Sequence, residues 1–157
     1  MGQAPSNWAA RDREGVYAEL DHPADLFLEI WGSDLPTLFE NACFALYDQV
    51  AVLAGFEAGR ELTIAVRGAS PQDALRALLA EALYRFETEG FVAIDAEVNV
   101  DACDGPEDLR VTARLWGEDA DRRRHALLTE VKAVTYHQLA VVRTPGGDWR
   151  ATVLFDV

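Results

Sequence analysis

A chain of 157 residues and 17.3 kDa has room for one domain with one real core and not for two. Half of its residues are apolar and 26% are charged, the composition of an ordinary soluble globular protein. Fourteen Lys and Arg stand against 27 Asp and Glu, and a net charge of -13 disfavours direct, unassisted contact with phosphate backbones while favouring cations and basic protein surfaces. Cys43 and Cys103 are too few for a disulfide framework or a thiolate metal cluster, which points to a reduced, cytoplasmic compartment. No apolar run approaches the ~20 residues that cross a bilayer, and no signal-peptide core opens the chain, so no membrane contact is expected.

In chain order, residues 1–15 carry no usable period and are expected to form a disordered tail; 16–157 form the single domain. Tyr17 to Leu20 and Leu26 to Trp31 read as strands, interrupted at His22-Pro23-Ala24-Asp25, where the proline removes a ladder donor and forces a bend or an edge. Ser33 and Asp34 then open a helix whose Leu35, Leu38, Phe39, Ala42, Leu46 and Val50 recur on one face. A second helix is better signalled: Ser70 as the cap, Pro71 at the first position, a carboxylate at Asp73, an apolar stripe from Leu75 to Phe86, and Gly90 as the stop. Between and after the helices the period becomes two, through Leu62-Ile64-Val66, Val92 to Val100, and Leu109 to Leu115. Ala133 to Arg143 and Trp149 to Val157 complete the set as strands flanking Thr144-Pro145-Gly146-Gly147-Asp148, a hairpin turn. The expected fold is α+β, a two-layer sandwich with both helices on one face of a roughly six-stranded mixed sheet.

There is no Walker loop, nucleophile elbow, Cys-x-x-Cys pair or His-Glu-x-x-His helix. Three polar clusters remain. In the first, Asp25 at a bend between strands can accept a hard cation or a basic side chain; equally, it can cap local amides while His22 packs at a sheet edge. In the second, Asp156 sits beside Val157, and if Val157 is the true terminus its α-carboxylate adds a second anion; a frayed, solvated end is the other reading. In the third, Lys132, Val134 and Tyr136 share one strand face, with Thr135 and His137 on the other, where they either line a site or merely pair across strands. Arg122-Arg123-Arg124-His125 reads as a solvated basic run, Asp101 to Asp108 does not follow a calcium-loop spacing, and Cys43 reads as a small core residue.

Four blocks then occur in order over almost the whole domain. His22-Pro23-Ala24-Asp25 resembles the His-Thr-Ala-Asp motif of the archease family, followed as there by a strand, a glycine and a helix; Leu38-Phe39-Glu40-Asn41-Ala42 resembles its first-helix signature. Glu130 to His137 is similar to its Glu-Ile-Lys-Ala-Val-Thr-Tyr-His block, and Trp149-Arg150-Ala151 with Phe155-Asp156-Val157 is similar to its ending. Pro23 departs from the pattern by standing where threonine is usual, which removes a hydroxyl but leaves Asp25 in register. The resemblance implies a two-layer α+β fold and a non-catalytic accessory role: promoting guanylylation and turnover of an RtcB-type RNA ligase in tRNA splicing or RNA repair, with RNA met only indirectly. It implies a divalent ion, Ca²⁺ or Mn²⁺/Mg²⁺, held by Asp25, Asp156 and Val157, with Lys132, His22 and His137 facing the partner. Two readings compete: a small metal-dependent hydrolase using Asp25, Asp156 and His137 around an activated water, and a metal-free acidic interaction module.

Overall fold

In a computed structural model, residues 8–103, 105 and 107–157 are described; Asp104 of the acidic stretch and residues 1–7 of the expected tail lie outside them. The elements are β1 (Tyr17–Leu20), β2 (Leu26–Gly32), α1 (Leu35–Val50), β3 (Arg60–Gly68), α2 (Pro71–Glu89), β4 (Phe91–Ala102), β5 (Leu109–Asp119), β6 (Ala133–Val134), β7 (Ala140–Arg143) and β8 (Trp149–Asp156). The α+β class holds, but the strands divide into two sheets. One runs β1-β2-β8, with β6 and β7 in succession along the far edge of β8; the other runs β3-β5-β4. Every pairing is antiparallel. The single mixed sheet expected from the pattern is therefore corrected. Alternation tells which face of a strand is buried, but it carries no information about which strand is the neighbour.

Both helices cover both sheets: α1 lies on β2 and β4, and α2 on β3, β5 and β6. They begin as the caps dictate. The Asp34 carboxylate accepts from the Thr37 N–H at 2.8 Å, and the Ser70 hydroxyl from the Asp73 N–H at 3.1 Å. α2 ends at Gly90, whose φ of 77° is the left-handed stop. Each helix also follows a glycine that closes its strand. A Cβ on Gly32 would strike the backbone of Leu38, and one on Gly68 the backbone of Ala74, so only glycine lets the first helical turn fold back onto its strand. The expected stripes are buried, with Leu38, Phe39, Leu75, Leu78 and Leu79 fully enclosed. Cys43 is buried in the same core, and burial pushes its thiol up to about 12, so it is inert at neutral pH. No helix among the described residues is long and apolar enough to cross a membrane.

Two further expectations change. From residue 8 the supposed tail packs on the body. The Trp8 indole is fully buried against Phe44 and Tyr47, Arg11 donates to Asn41 Oδ1 at 2.8 Å, and Arg13 pairs with Asp48. A single large aromatic anchors a segment without giving it a period, so periodicity could not find it. The strand expected over Ala133 to Arg143 is broken: only Ala133–Val134 and Ala140–Arg143 are strand, and between them Gln138 takes a φ of 55°. With the run interrupted the alternating faces dissolve, leaving Val134 buried while Tyr136 and His137 project into solvent.

Candidate metal and partner site

The site lies at one end of the five-stranded sheet. β2 and β8 pair in register from Gly32↔Trp149 to Leu26↔Phe155. One residue beyond that last pair, Asp25 and Asp156 fall opposite each other, although 131 positions of sequence separate them. On the other edge of β8, Ala133 faces Asp156, and the Lys132 N–H donates to the main-chain oxygen of Asp156 at 2.7 Å. Asp25, Asp156, Val157 and Lys132 thus share one strand end. Lys132, Asp156 and Val157 are exposed there, and the Asp25 carboxylate is partly covered.

The local conformation of the first motif is specific. Ala24 sits at φ 65°, a left-handed conformation that costs a non-glycine residue roughly 1–2 kcal/mol and turns the chain sharply between β1 and β2. His22 Nδ1 comes to 3.3 Å from Asp25 Oδ2, yet it lacks hydrogen-bond geometry and remains buried without a partner. Its ring packs edge-on against Phe27 with centroids 5.7 Å apart. Among the described residues no N–H donates to the Asp25 or Asp156 carboxylates, so neither is spent on capping.

No group of three or more carboxylate, histidine or cysteine side chains that could hold a metal occurs among the described residues. The donors at the strand end are two side-chain carboxylates and the main-chain oxygen of Val157. All are hard oxygens, the right kind for Ca²⁺, Mg²⁺ or Mn²⁺ but too few for the six to eight ligands calcium takes. The set fits a divalent ion in kind and falls short in number.

The other candidates separate from this cluster. His137 lies in the turn after β6, alongside the Thr152–Leu154 stretch of β8 and several residues from Asp156; its N–H donates to Thr135 Oγ1. His125 is buried elsewhere, stacked on Phe56 at 3.8 Å, with Nδ1 accepting from the Asp121 N–H and Nε2 beside Glu118. Both of its ring nitrogens are engaged, so it anchors the 121–125 loop. A solvated basic run describes only part of that loop, since Arg124 pairs with Glu118. Asp108 pairs with Arg67 at 2.6 Å.

One feature is invisible to the sequence pattern. Arg76 of α2 lies with its guanidinium carbon 3.8 Å from the centre of the Tyr136 ring. A cation on a helix edge looks like ordinary solvated charge until the fold shows what it touches. Lys132, moreover, is the sole lysine among the 14 Lys and Arg of the chain, a signal available from a simple count.

Residues 17–157 match the family model described as the archease protein family. A protein archease of Archaeoglobus fulgidus is 36% identical over 141 residues, covering 90% of this chain and 98% of the relative. One of Pyrococcus furiosus is 34% identical over 137 residues, covering 87% and 95%. Among solved structures, the solution structure of Methanobacterium thermoautotrophicum protein 1598 superposes with a TM-score of 0.74 at 25% identity, covering 90% of this chain and 98% of that one.

Proposed function

We propose that this chain, which belongs to the archease protein family, serves as a non-catalytic activator of an RtcB-type RNA ligase in tRNA splicing or RNA repair. The observation that carries this reading is the β2–β8 register, which sets Asp25 opposite Asp156 with Lys132 tied to the same residue. Asp25, Asp156 and the main-chain oxygen of Val157 would hold a divalent ion, which would supply concentrated positive charge for an anionic group of the partner. The incomplete oxygen set favours an accessory role over a hydrolytic one. A site that leaves most of a metal's shell to water or to a partner is suited to sharing that metal. His137, which the hydrolase reading needs beside both aspartates, sits in a separate turn. Lys132 and His22 flank the carboxylates and would meet the partner, with Lys132 presenting a compact ammonium to an acidic ligase group or a nucleotide phosphate. His137 contacts the partner at the margin of the same face.

The deciding experiment is guanylylation of the cognate ligase with and without this protein, beside calorimetry of divalent-ion binding. Stimulation that is lost with Asp25→Ala and with Asp156→Ala is the expected result. Absence of divalent binding with stimulation intact would favour the metal-free module, and turnover of RNA or nucleotide by the isolated protein would favour the hydrolase.

A further inference from the structure

Next to Lys132 the surface opens into a cavity of about 460 Å³, floored by Val50, Phe86, Leu127 and Val131 and bordered by Leu128, which is 58% exposed. Arg122 and Lys132 stand on its rim with Glu87 and Glu130. From there residues 132–136 run beside α2 in the opposite direction. Lys132 lies next to Phe86 and Glu87 at one end, and Tyr136 meets Arg76 at the other. Ten helical residues separate those contacts, so the face is about 15 Å long at 1.5 Å per residue.

Of the 14 Lys and Arg, seven pair with a carboxylate among the described residues and seven do not, three of the latter on this face. Arg13, Arg60, Arg67, Arg85, Arg114, Arg124 and Arg150 each hold a carboxylate of this chain. Arg76, Arg122 and Lys132 hold none among the described residues, in a chain with 27 acidic side chains available. Arg76 instead stacks on Tyr136, itself 68% exposed, and its Nε is buried without a hydrogen-bond acceptor. Stacking fixes the guanidinium plane, and with Nε enclosed a partner's carboxylate would meet only the terminal N–H groups.

We propose that this face, from the Leu128 cavity to the Arg76–Tyr136 stack, docks a segment of a partner protein that carries an apolar anchor side chain and a carboxylate about 15 Å apart. The apolar side chain fills the cavity beside Leu128, and the carboxylate completes Arg76. A second copy of this chain fits poorly, because two bodies of charge -13 repel. A nucleic-acid strand fits poorly as well, because Glu87 and Glu130 on the same rim oppose a continuous polyanion. This inference rests on the activator reading above, since the face borders Lys132 and the partner that best accounts for it is the ligase.

The test measures the affinity of the full-length protein for the purified ligase, alongside guanylylation and divalent-ion binding. Leu128→Glu and Arg76→Glu alter exposed or partly exposed positions and should fold. Each is expected to raise the Kd for the ligase at least tenfold while leaving divalent binding unchanged and full stimulation recoverable at saturating concentration. Val142→Glu, an exposed apolar residue on β7, is the control and should change nothing. Unchanged affinity in both variants, with the wild-type protein still stimulating the ligase, overturns the docking face and leaves the activator reading standing. Failure of the wild-type protein to bind or stimulate the ligase overturns both. Loss of affinity for single-stranded RNA in place of ligase affinity also overturns the proposal.

Discussion

In the three-stranded sheet, Arg60 holds Asp119 and Glu89, Arg114 holds Glu61, and Arg67 holds Asp108. At the open end of the five-stranded sheet, among the described residues, Asp25 and Asp156 pair with no arginine or lysine, and Lys132 pairs with no carboxylate. The backbone differs in parallel. β3 and β5 pair without interruption over nine positions, whereas the motifs around the site pass through positive φ at Ala24 and Gln138. One region pairs three of its four arginines internally and behaves as scaffold. The other leaves charge uncompensated on a conformationally costly frame, which is stable only because packed strands on both sides of β8 hold it. Internal neutralisation thus separates surface that supports the fold from surface available to a metal or a partner.

The largest effect is expected on the scaffold side. Leu79, fully enclosed beneath α2, is expected to cost about 2–5 kcal/mol when truncated in Leu79→Ala, read from urea denaturation. The protein that remains folded should still bind a divalent ion, because the cavity opens far from the strand end. A loss under 1 kcal/mol would contradict the packing described here.

From the site side the signs reverse. Asp25→Ala and Asp156→Ala should each weaken divalent binding by tenfold or more and abolish ligase stimulation. Stability should stay within about 0.5 kcal/mol or rise slightly, since removing one of two facing anions relieves repulsion. A large drop in Tm for either variant would mark these aspartates as structural and erase the contrast with the three-stranded sheet. Lys132→Ala should fold and bind metal normally yet fail to stimulate at limiting concentration, and Lys132→Arg should restore only part of the activity because a guanidinium presents its charge differently. Full stimulation by Lys132→Ala would reduce that residue to a solvated charge.

A smaller effect is expected through pH. Glu40 on α1 is held above the ordinary glutamate range, first by burial and then by repulsion from Asp95, against the opposing pull of Arg11. A carboxyl whose folded pKa is raised stabilises the fold fully below its unfolded value and loses that contribution as pH rises through the folded one. Glu40→Gln should therefore gain stability relative to wild type at pH 8, with the difference shrinking as pH falls from the raised folded value toward the ordinary glutamate one. Denaturation curves at several pH values test this, and a gap that widens toward acid would reverse the sign. Least of all is expected from Arg114→Ala, which breaks an exposed cross-strand pair with Glu61 and should cost about 0–1 kcal/mol, less at high salt.

The sequence alone determined the features that local chemistry controls. Both helices, their caps at Asp34 and Ser70, the stop at Gly90 and the buried stripes follow from spacing and from side chains that act within three or four residues of themselves. The family was legible as well, because ordered motifs such as Glu130 to His137 survive in one dimension. Tertiary structure decided whatever depends on which distant segments meet. Division into two sheets, burial of Trp8, interruption of the strand after Val134 and the stacking of Arg76 on Tyr136 are long-range pairings. A periodic pattern names the face a residue occupies but not the neighbour across from it. The opposition of Asp25 and Asp156 belongs to the same class: each acid is visible in its own motif, and only the β2–β8 register brings the two to one strand end.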